Sequence, residues 1–382
     1  MKKIFSVTVL FCTLFINIKT IAQPEFEFTG YVITMPILQL FNQQLANSYN
    51  LAGAIKMNLT RVRLKPAFYI SENSRIAAEI ESSLLLYDDL SAFFISEAKK
   101  SSRQLANLSV VKTSGNFTAL SLIDRLYFRQ GFNWGNIIIG RQRISWGTGR
   151  VWNPTDLFNP INPTSFYKLE QDGADAVTAK FSFDSFTDLH LVYNPKEVLR
   201  NSNYGFRFRT NISEFDVAII SGRFDERLIG GLDFAGNFFD AGVRGESIVS
   251  FKSVANYVHF ILGADYQFTQ NIYALIEYQH NGAGKLSKSN YEFDKLIEGD
   301  ILNLGKNYLA FSAMYQFTPL LTFTLTEISN LNDGSGFTGL SANYSLSDNI
   351  YTAIGGQVFY GKSSSEYWYY PSTIYLQLEY YF

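Results

Sequence analysis

The sequence predicts an all-β fold: a transmembrane, antiparallel, up-and-down β-barrel of about eighteen strands, with about sixteen as the alternative count. Three observations predict it. Alternating apolar and polar segments recur along the chain, as in Thr373 to Phe382, where Ile374, Leu376, Leu378, Tyr380 and Phe382 share one face and Thr373, Tyr375, Gln377, Glu379 and Tyr381 the other. Short turns and longer polar connections alternate between these segments, as expected of a barrel with one tight-turn end. Aromatic residues are 16% of the chain and charged residues 17%, and after residue 22 no apolar run is long enough for a membrane helix.

From the amino end, Met1-Lys2-Lys3 is basic, Ile4 to Ile18 is almost continuously apolar, and Thr20-Ile21-Ala22 places small residues where a signal peptidase reads. Residues 1–22 are therefore expected to be a signal peptide and residues 23–382 the barrel. The lone cysteine, Cys12, falls within the leader, which leaves the barrel without thiol or disulfide chemistry. Residues 1–22 hold Lys2, Lys3 and Lys19 and no acid, so the 32 basic and 34 acidic residues become 29 and 34, a net of −5. That balance argues against nucleic acid as a partner.

Tight turns are expected at 71–73, 133–135, 184–186, 211–213, 235–239, 269–271, 318–320 and 347–349. The connections near 35–51, 87–121, 147–173, 195–202, 224–226, 251–255, 282–306, 331–336 and 361–372 are mostly longer and rich in Ser, Asn, Gly, Asp and Lys. With both ends on the tight-turn side, the strand count comes out even.

Strand parity assigns side chains to the lumen. Arg125 and Arg129 oppose Leu126, Phe128 and Phe132, and Arg207 and Arg209 oppose Tyr204, Phe206 and Phe208. Arg61 and Arg63 join them, as do Arg141 and Arg143 if Ile138 and Ile144 face lipid. Arg facing lipid near the midplane costs roughly 2–4 kcal/mol, which makes the lumen the favourable side. Glu79, Glu81, Asp265, Glu277, Glu246 and Glu379 are expected inside as well. The arginines then either pair with these carboxylates and stiffen the wall, or bias a pore towards anions.

The terminal strand, ending on Tyr380-Tyr381-Phe382, resembles the closing-strand signal of bacterial outer-membrane β-barrels, with Tyr380 and Phe382 its aromatic members. The resemblance implies the cell outer membrane of a Gram-negative bacterium, with outer-membrane lipid and the barrel-assembly machinery as partners. The string Gly140-Arg141-Gln142-Arg143-Ile144-Ser145-Trp146-Gly147-Thr148-Gly149, followed by Asn153-Pro154, Asn159-Pro160 and Asn162-Pro163, is similar to a segment of the alginate-export porins and related uncharacterised porin-like families. Three Asn-Pro pairs make the loop rigid. It either folds into the barrel or forms an outer lid, and the resemblance favours the inward course. Trp146, Arg150, Trp152, Asp156, Phe158 and Tyr167 are its constriction candidates.

No catalytic constellation is legible. His280 in Tyr278-Gln279-His280-Asn281-Gly282 lacks a nucleophilic Ser two residues on, and the other histidines, His190 and His259, have no nucleophile or metal-ligand spacing beside them. The chain is thus expected to be no enzyme, with no cofactor and no metal. The leading functional expectation is a porin-like channel for passive passage of small hydrophilic solutes, anionic or saccharide-like. The alternative is a closed barrel whose outer loops engage glycans or proteins. Oligomeric state is not legible in the pattern.

Overall fold

The computed structural model describes residues 25–49, 52–88, 103–158, 164, 170–251, 256–298 and 301–382. Residues 1–22 and Tyr167 lie outside this set. The strands are β1 (Glu25–Leu40), β2 (Ala54–Ser71), β3 (Ser74–Tyr87), β4 (Ser109–Ser114), β5 (Phe117–Phe132), β6 (Gly135–Gln142), β7 (Ala174–Ser182), β8 (Asp188–Asn194), β9 (Asn203–Ile212) and β10 (Phe215–Phe224). They continue as β11 (Arg227–Phe238), β12 (Ala241–Phe251), β13 (Tyr257–Thr269), β14 (Ile272–Asn281), β15 (Asn307–Thr318), β16 (Leu321–Asn330), β17 (Ser335–Ser347), β18 (Ile350–Tyr360) and β19 (Ser372–Tyr381). Two short helices, α1 (Gln43–Tyr49) and α2 (Phe293–Glu298), sit in outer connections.

Every neighbouring pair is antiparallel, and β1 pairs with β19 (Tyr31↔Tyr381 to Leu40↔Ser372), so the sheet closes on itself. Closure satisfies all edges, the condition for spanning a bilayer with strands. The wall has eighteen strand positions because β4 and β6 share one. The outer half of β5 pairs with β4 (Ser109↔Leu122) and its lower half with β6 (Leu126↔Arg141), along the same edge. The eight expected tight turns each join two strands, the one before β12 shifted to residues 239–240.

The alternation follows from closure. Leu84, Leu126, Ile139, Leu191, Ile219, Leu232, Leu262, Ile276, Leu340, Ile354 and Leu376 point outward and are exposed, forming the apolar belt that lipid wets. No helix among the described residues is long and apolar enough to cross a membrane. Described parts of three outer connections, residues 41–46, 143–158 and 367–370, fold back over the inner wall. Helix α1, entered through Asn42, whose Oδ1 accepts the Gln44 N–H (2.9 Å), packs Leu45 and Ala46 against Met35, Ile37, Ile55 and Met57.

Candidate lumenal constriction

The first charged cluster is built by a bulge. Glu79 pairs with Arg125 and Ile80 with Ile123, so Asp124 is the extra residue of β5. Two consecutive side chains, Asp124 and Arg125, are thereby buried on the inner side while Ile123 and Leu126 pair on the outer. Arg63 on β2 meets Glu79 (2.7 Å), Glu81 (2.8 Å), Asp124 and Glu170 (3.4 Å). Arg61 pairs with Glu81 (3.0 Å) and Lys65 with Glu170 (2.6 Å). Arg125 donates to the Gln171 carbonyl (2.7 Å), and Asp124 accepts the Gly173 N–H (2.9 Å), so the cluster also anchors the end of the loop entering β7. Burial pushes Glu170 upward, but the Lys65 hydrogen bond and Arg63 outweigh it and hold the carboxyl below its ordinary range. The four cations Arg61, Arg63, Lys65 and Arg125 face the four carboxylates Glu79, Glu81, Asp124 and Glu170, and the charges cancel.

The parity assumed for Arg141 and Arg143 is not adopted. Ile139 is 48% exposed on the outer side, whereas Ile144 is 1% exposed within an interior cluster. Gly140 (φ +122°), where a Cβ would collide with the Leu126 carbonyl, stays within the ladder, so Arg141 shares the outward parity of Ile139 and stands opposite the exposed Leu126. Arg141 consequently lies in the wall, donating to Asp175 (2.8 Å) and to the carbonyls of Ile123 (3.0 Å) and Ala106 (2.5 Å). Asp175 in turn accepts the Leu105 N–H (2.6 Å). This staple holds residues 103–106 at the point where β6 leaves the sheet. Arg143, two residues later, is exposed.

Beyond Gln142 the chain turns inward across the inner wall. Ile144, Trp146 and Phe158 are buried against Ala176, Val192, Ile220, Phe224 and Ile248, and Trp152 against Ile261 and Tyr308. Trp146 Nε1 donates to His190 Nδ1 (3.0 Å), which makes His190 an interior partner of the segment. Two wall carboxylates grip the backbone. Glu246 on β12 accepts the N–H groups of Thr148, Gly149 (2.5 Å) and Thr155 (3.0 Å) and the Thr155 hydroxyl (2.7 Å). Glu277 on β14 accepts those of Arg150 (2.9 Å), Val151 (3.1 Å) and Trp152 (2.8 Å). Gly147, at φ +95°, permits this approach, since a Cβ there would lie 2.6 Å from Glu246 Oε1. Five consecutive N–H groups, 148 to 152, are thus spent on the protein's own carboxylates.

The aromatic constriction candidates turn towards the wall. Trp146, Trp152 and Phe158 are each 2% exposed, with their faces against the wall, and Asp156 is buried too. Arg150 is the exposed member. Arg207 pairs with Asp233 (2.8 Å), Arg209 with Asp188 (2.8 Å), and Asp265 with Arg244. Arg129, Arg143 and Arg150 have no side-chain ion pair among the described residues. Tyr380 and Phe382 lie on the outer side at closure, where Phe382 exchanges backbone hydrogen bonds with Gly30 (2.9 and 3.0 Å).

Sequence reasoning missed Asp124, whose even number matches outward Leu126 and whose bulge leaves no local signal. It also missed Glu366, in the connection after β18. This fully buried carboxyl accepts from Leu304 N–H (2.9 Å), Asn330 Nδ2 (2.7 Å) and the Tyr308 hydroxyl, and burial pushes it up to about 7. Among the described residues no three His, Cys, Asp or Glu side chains are arranged to hold a metal ion.

No protein-family model matches the chain, and no curated protein does. Solved structures do. Pseudomonas aeruginosa OccK9 (OpdG) superposes with a TM-score of 0.55 at 10% identity, covering 94% of this chain and 98% of that one. A triple mutant of the Rhodopseudomonas blastica porin gives 0.50 at 11% identity, covering 94% and 100%. At such identity the likeness establishes the fold, a closed eighteen-position barrel of the kind bacterial porins adopt.

Proposed function

We propose that the chain is an outer-membrane, porin-like channel through which small hydrophilic solutes pass by diffusion, and that it performs no catalysis. The observation that carries this is the segment 143–158, folded inside the barrel and clamped by Glu246 and Glu277, which narrows one side of the lumen without being a separate domain. Residues 1–22 are taken as the leader that delivers it, residues 23–382 as the inserted barrel, and Tyr380 and Phe382 as its assembly signal.

The lumenal charges divide by role. Arg61, Arg63, Arg125, Arg207 and Arg209 are bound to carboxylates Glu79, Glu81, Asp124, Asp188 and Asp233, and serve as wall structure. Arg129, Arg143 and Arg150 remain to bias the pore towards anions. The resemblance of residues 140–163 to alginate-export porins belongs to the same proposal and makes uronates the first saccharides to test.

The experiment is single-channel conductance in a planar bilayer, with the reversal potential measured under a salt gradient. Anion-biased channels whose bias falls in Arg143→Gln and Arg150→Gln support the assignment. A folded barrel that never conducts refutes the channel and leaves a closed barrel acting through its outer loops.

A further inference from the structure

The outward face of β16 to β18 carries a carboxylate at the margin of the apolar belt. Glu327 is outward because it stands opposite the exposed Phe311 on β15, while its neighbour Ile328 is buried on the inner side. Three hydroxyls converge on it from the same face. Thr338 and Tyr360 each donate at 2.5 Å, to Oε2 and Oε1, and Ser329 donates to Oε1 at 3.3 Å. Tyr360 reaches from β18 across β17 to do so, and Gly336 lets it pass, since a Cβ there would lie 2.5 Å from the phenol oxygen. Unlike outward Arg141, which pairs with Asp175, Glu327 has no cation within ion-pair distance among the described residues.

An apolar groove of about 580 Å³ adjoins this cluster on the same face. It begins at Leu325 and Leu340, two residues along their strands from Glu327 and Thr338. The small outward residues Ala313, Ala342 and Gly356 form its floor, and Phe323, Leu340 and Ile354, all exposed, rise around it. Any acyl chain can lie in such a groove, and the cluster beside it decides which lipid stays. Glu327 accepts three hydrogen bonds and gives none, as an ionised carboxylate does. The three hydroxyl protons are spent on it, so what faces the bilayer is a set of oxygen lone pairs around one negative charge. That surface repels a phosphate and suits a cation rich in donors. A primary ammonium brings three N–H groups, and its charge-assisted bond to a carboxylate gains strength where water is scarce.

We propose that this face binds one lipid bearing a primary ammonium head group, with the ammonium on Glu327 and an acyl chain in the groove. The argument needs only insertion in a bilayer and is independent of what the lumen conducts.

The test is native mass spectrometry of the refolded full chain in detergent, titrated with phosphatidylethanolamine, phosphatidylcholine and phosphatidylglycerol of identical acyl chains. Phosphatidylcholine keeps the head-group charges and removes the N–H donors, and phosphatidylglycerol removes the cation. The expected result is one phosphatidylethanolamine bound at a half-saturating concentration at least fivefold below that of either other lipid. Glu327→Gln should abolish this preference, and Ala342→Phe, which fills the groove, should weaken all three lipids, with heat-modifiable migration as the check of folding. Equal binding of the three lipids by the unaltered chain overturns the proposal, and that comparison stands even if a variant does not fold. So does a preference that survives in Glu327→Gln, undiminished binding in Ala342→Phe, or a preference for phosphatidylglycerol that requires a divalent cation.

Discussion

Replacing Glu246 by Gln tests how the inward segment is held. Glu246 gives nothing and accepts four hydrogen bonds of 3.0 Å or shorter, with Asn153 Nδ2 a fifth donor at 3.5 Å, which is the behaviour of an ionised carboxylate. Hydrogen bonds to a charged acceptor contribute about 1.5–3 kcal/mol each. The Gln amide keeps one oxygen and turns an NH2 towards N–H groups that need an acceptor, so roughly two of the four bonds are lost, or about 3–6 kcal/mol. Ile144 and Phe158 remain buried and hold their end with about 1.5–3 kcal/mol each, Trp146 with a comparable amount. The two sums are similar in size, so the segment is expected to leave its seat intermittently and not to stay displaced. Single-channel recording of Glu246→Gln should therefore show open-channel flicker between the wild-type level and a larger conductance. Glu277→Gln should behave alike, and the double variant should gain less than the sum, because both carboxylates hold one segment. If Glu246→Gln gives wild-type conductance and noise in a folded barrel, the carboxylate clamp is not what positions the segment.

Other substitutions follow from the same geometry. Arg63→Met leaves Glu79, Glu81 and Asp124 crowded without their shared cation, and removing one partner of a buried ionic cluster costs about 3–5 kcal/mol; the urea midpoint of the refolded barrel should fall accordingly, whereas Arg209→Met should change it less, because Arg209 is a third exposed and Asp188 keeps Lys180 (3.4 Å). Gly30 clears room for the terminal ring, since its Cβ would lie 2.8 Å from Phe382 and closer still to the Arg63 carbonyl; Gly30→Val should reduce the heat-modifiable, folded fraction as strongly as Phe382→Ala. Glu366 has a carboxyl raised to about 7 in the folded protein against an ordinary 4.5. Its folded form therefore favours the proton, so the seat of residues 366–369 is most stable below the ordinary value and weakens as pH rises through about 7. Hydrogen exchange at those residues should quicken, after correction for intrinsic rates, between pH 5 and 8, and Glu366→Gln should flatten the change.

Period-two patterning carried the barrel, since a strand with one lipid face must alternate, and the turns were legible because they needed residues such as Asn133, Gly135 and Asn349. Inward carboxylates such as Glu246 and Glu277 were legible for the same reason. What they bind was not, because their partners are backbone N–H groups some hundred residues away, and an N–H has no sequence signature. Parity also fails silently wherever it slips. The bulge at Asp124 shifts the register without a local signal, and the apolar run Ile137-Ile138-Ile139 does not announce which member faces out, so Arg141, in phase with outward Ile139, reads from sequence as lumenal. The aromatic loop residues illustrate a third limit: a Trp that packs against a wall and one that offers its face to solvent read identically.

The shared position of β4 and β6 binds two regions to one fate. By diverting residues 143–158 inward, β6 leaves the upper half of its place in the cylinder vacant, and residues 103–114, from the preceding outer connection, make good the missing half, secured by Arg141 and Asp175. A chimera that transplants the inward segment into another barrel without that earlier stretch would carry a breach facing the acyl chains. Conversely, a deletion that shortens the 88–116 connection past residue 109 would unpair the outer edge of β5 even though no spanning strand had been touched. The constriction and the seam are one module, separable in sequence and inseparable in the wall.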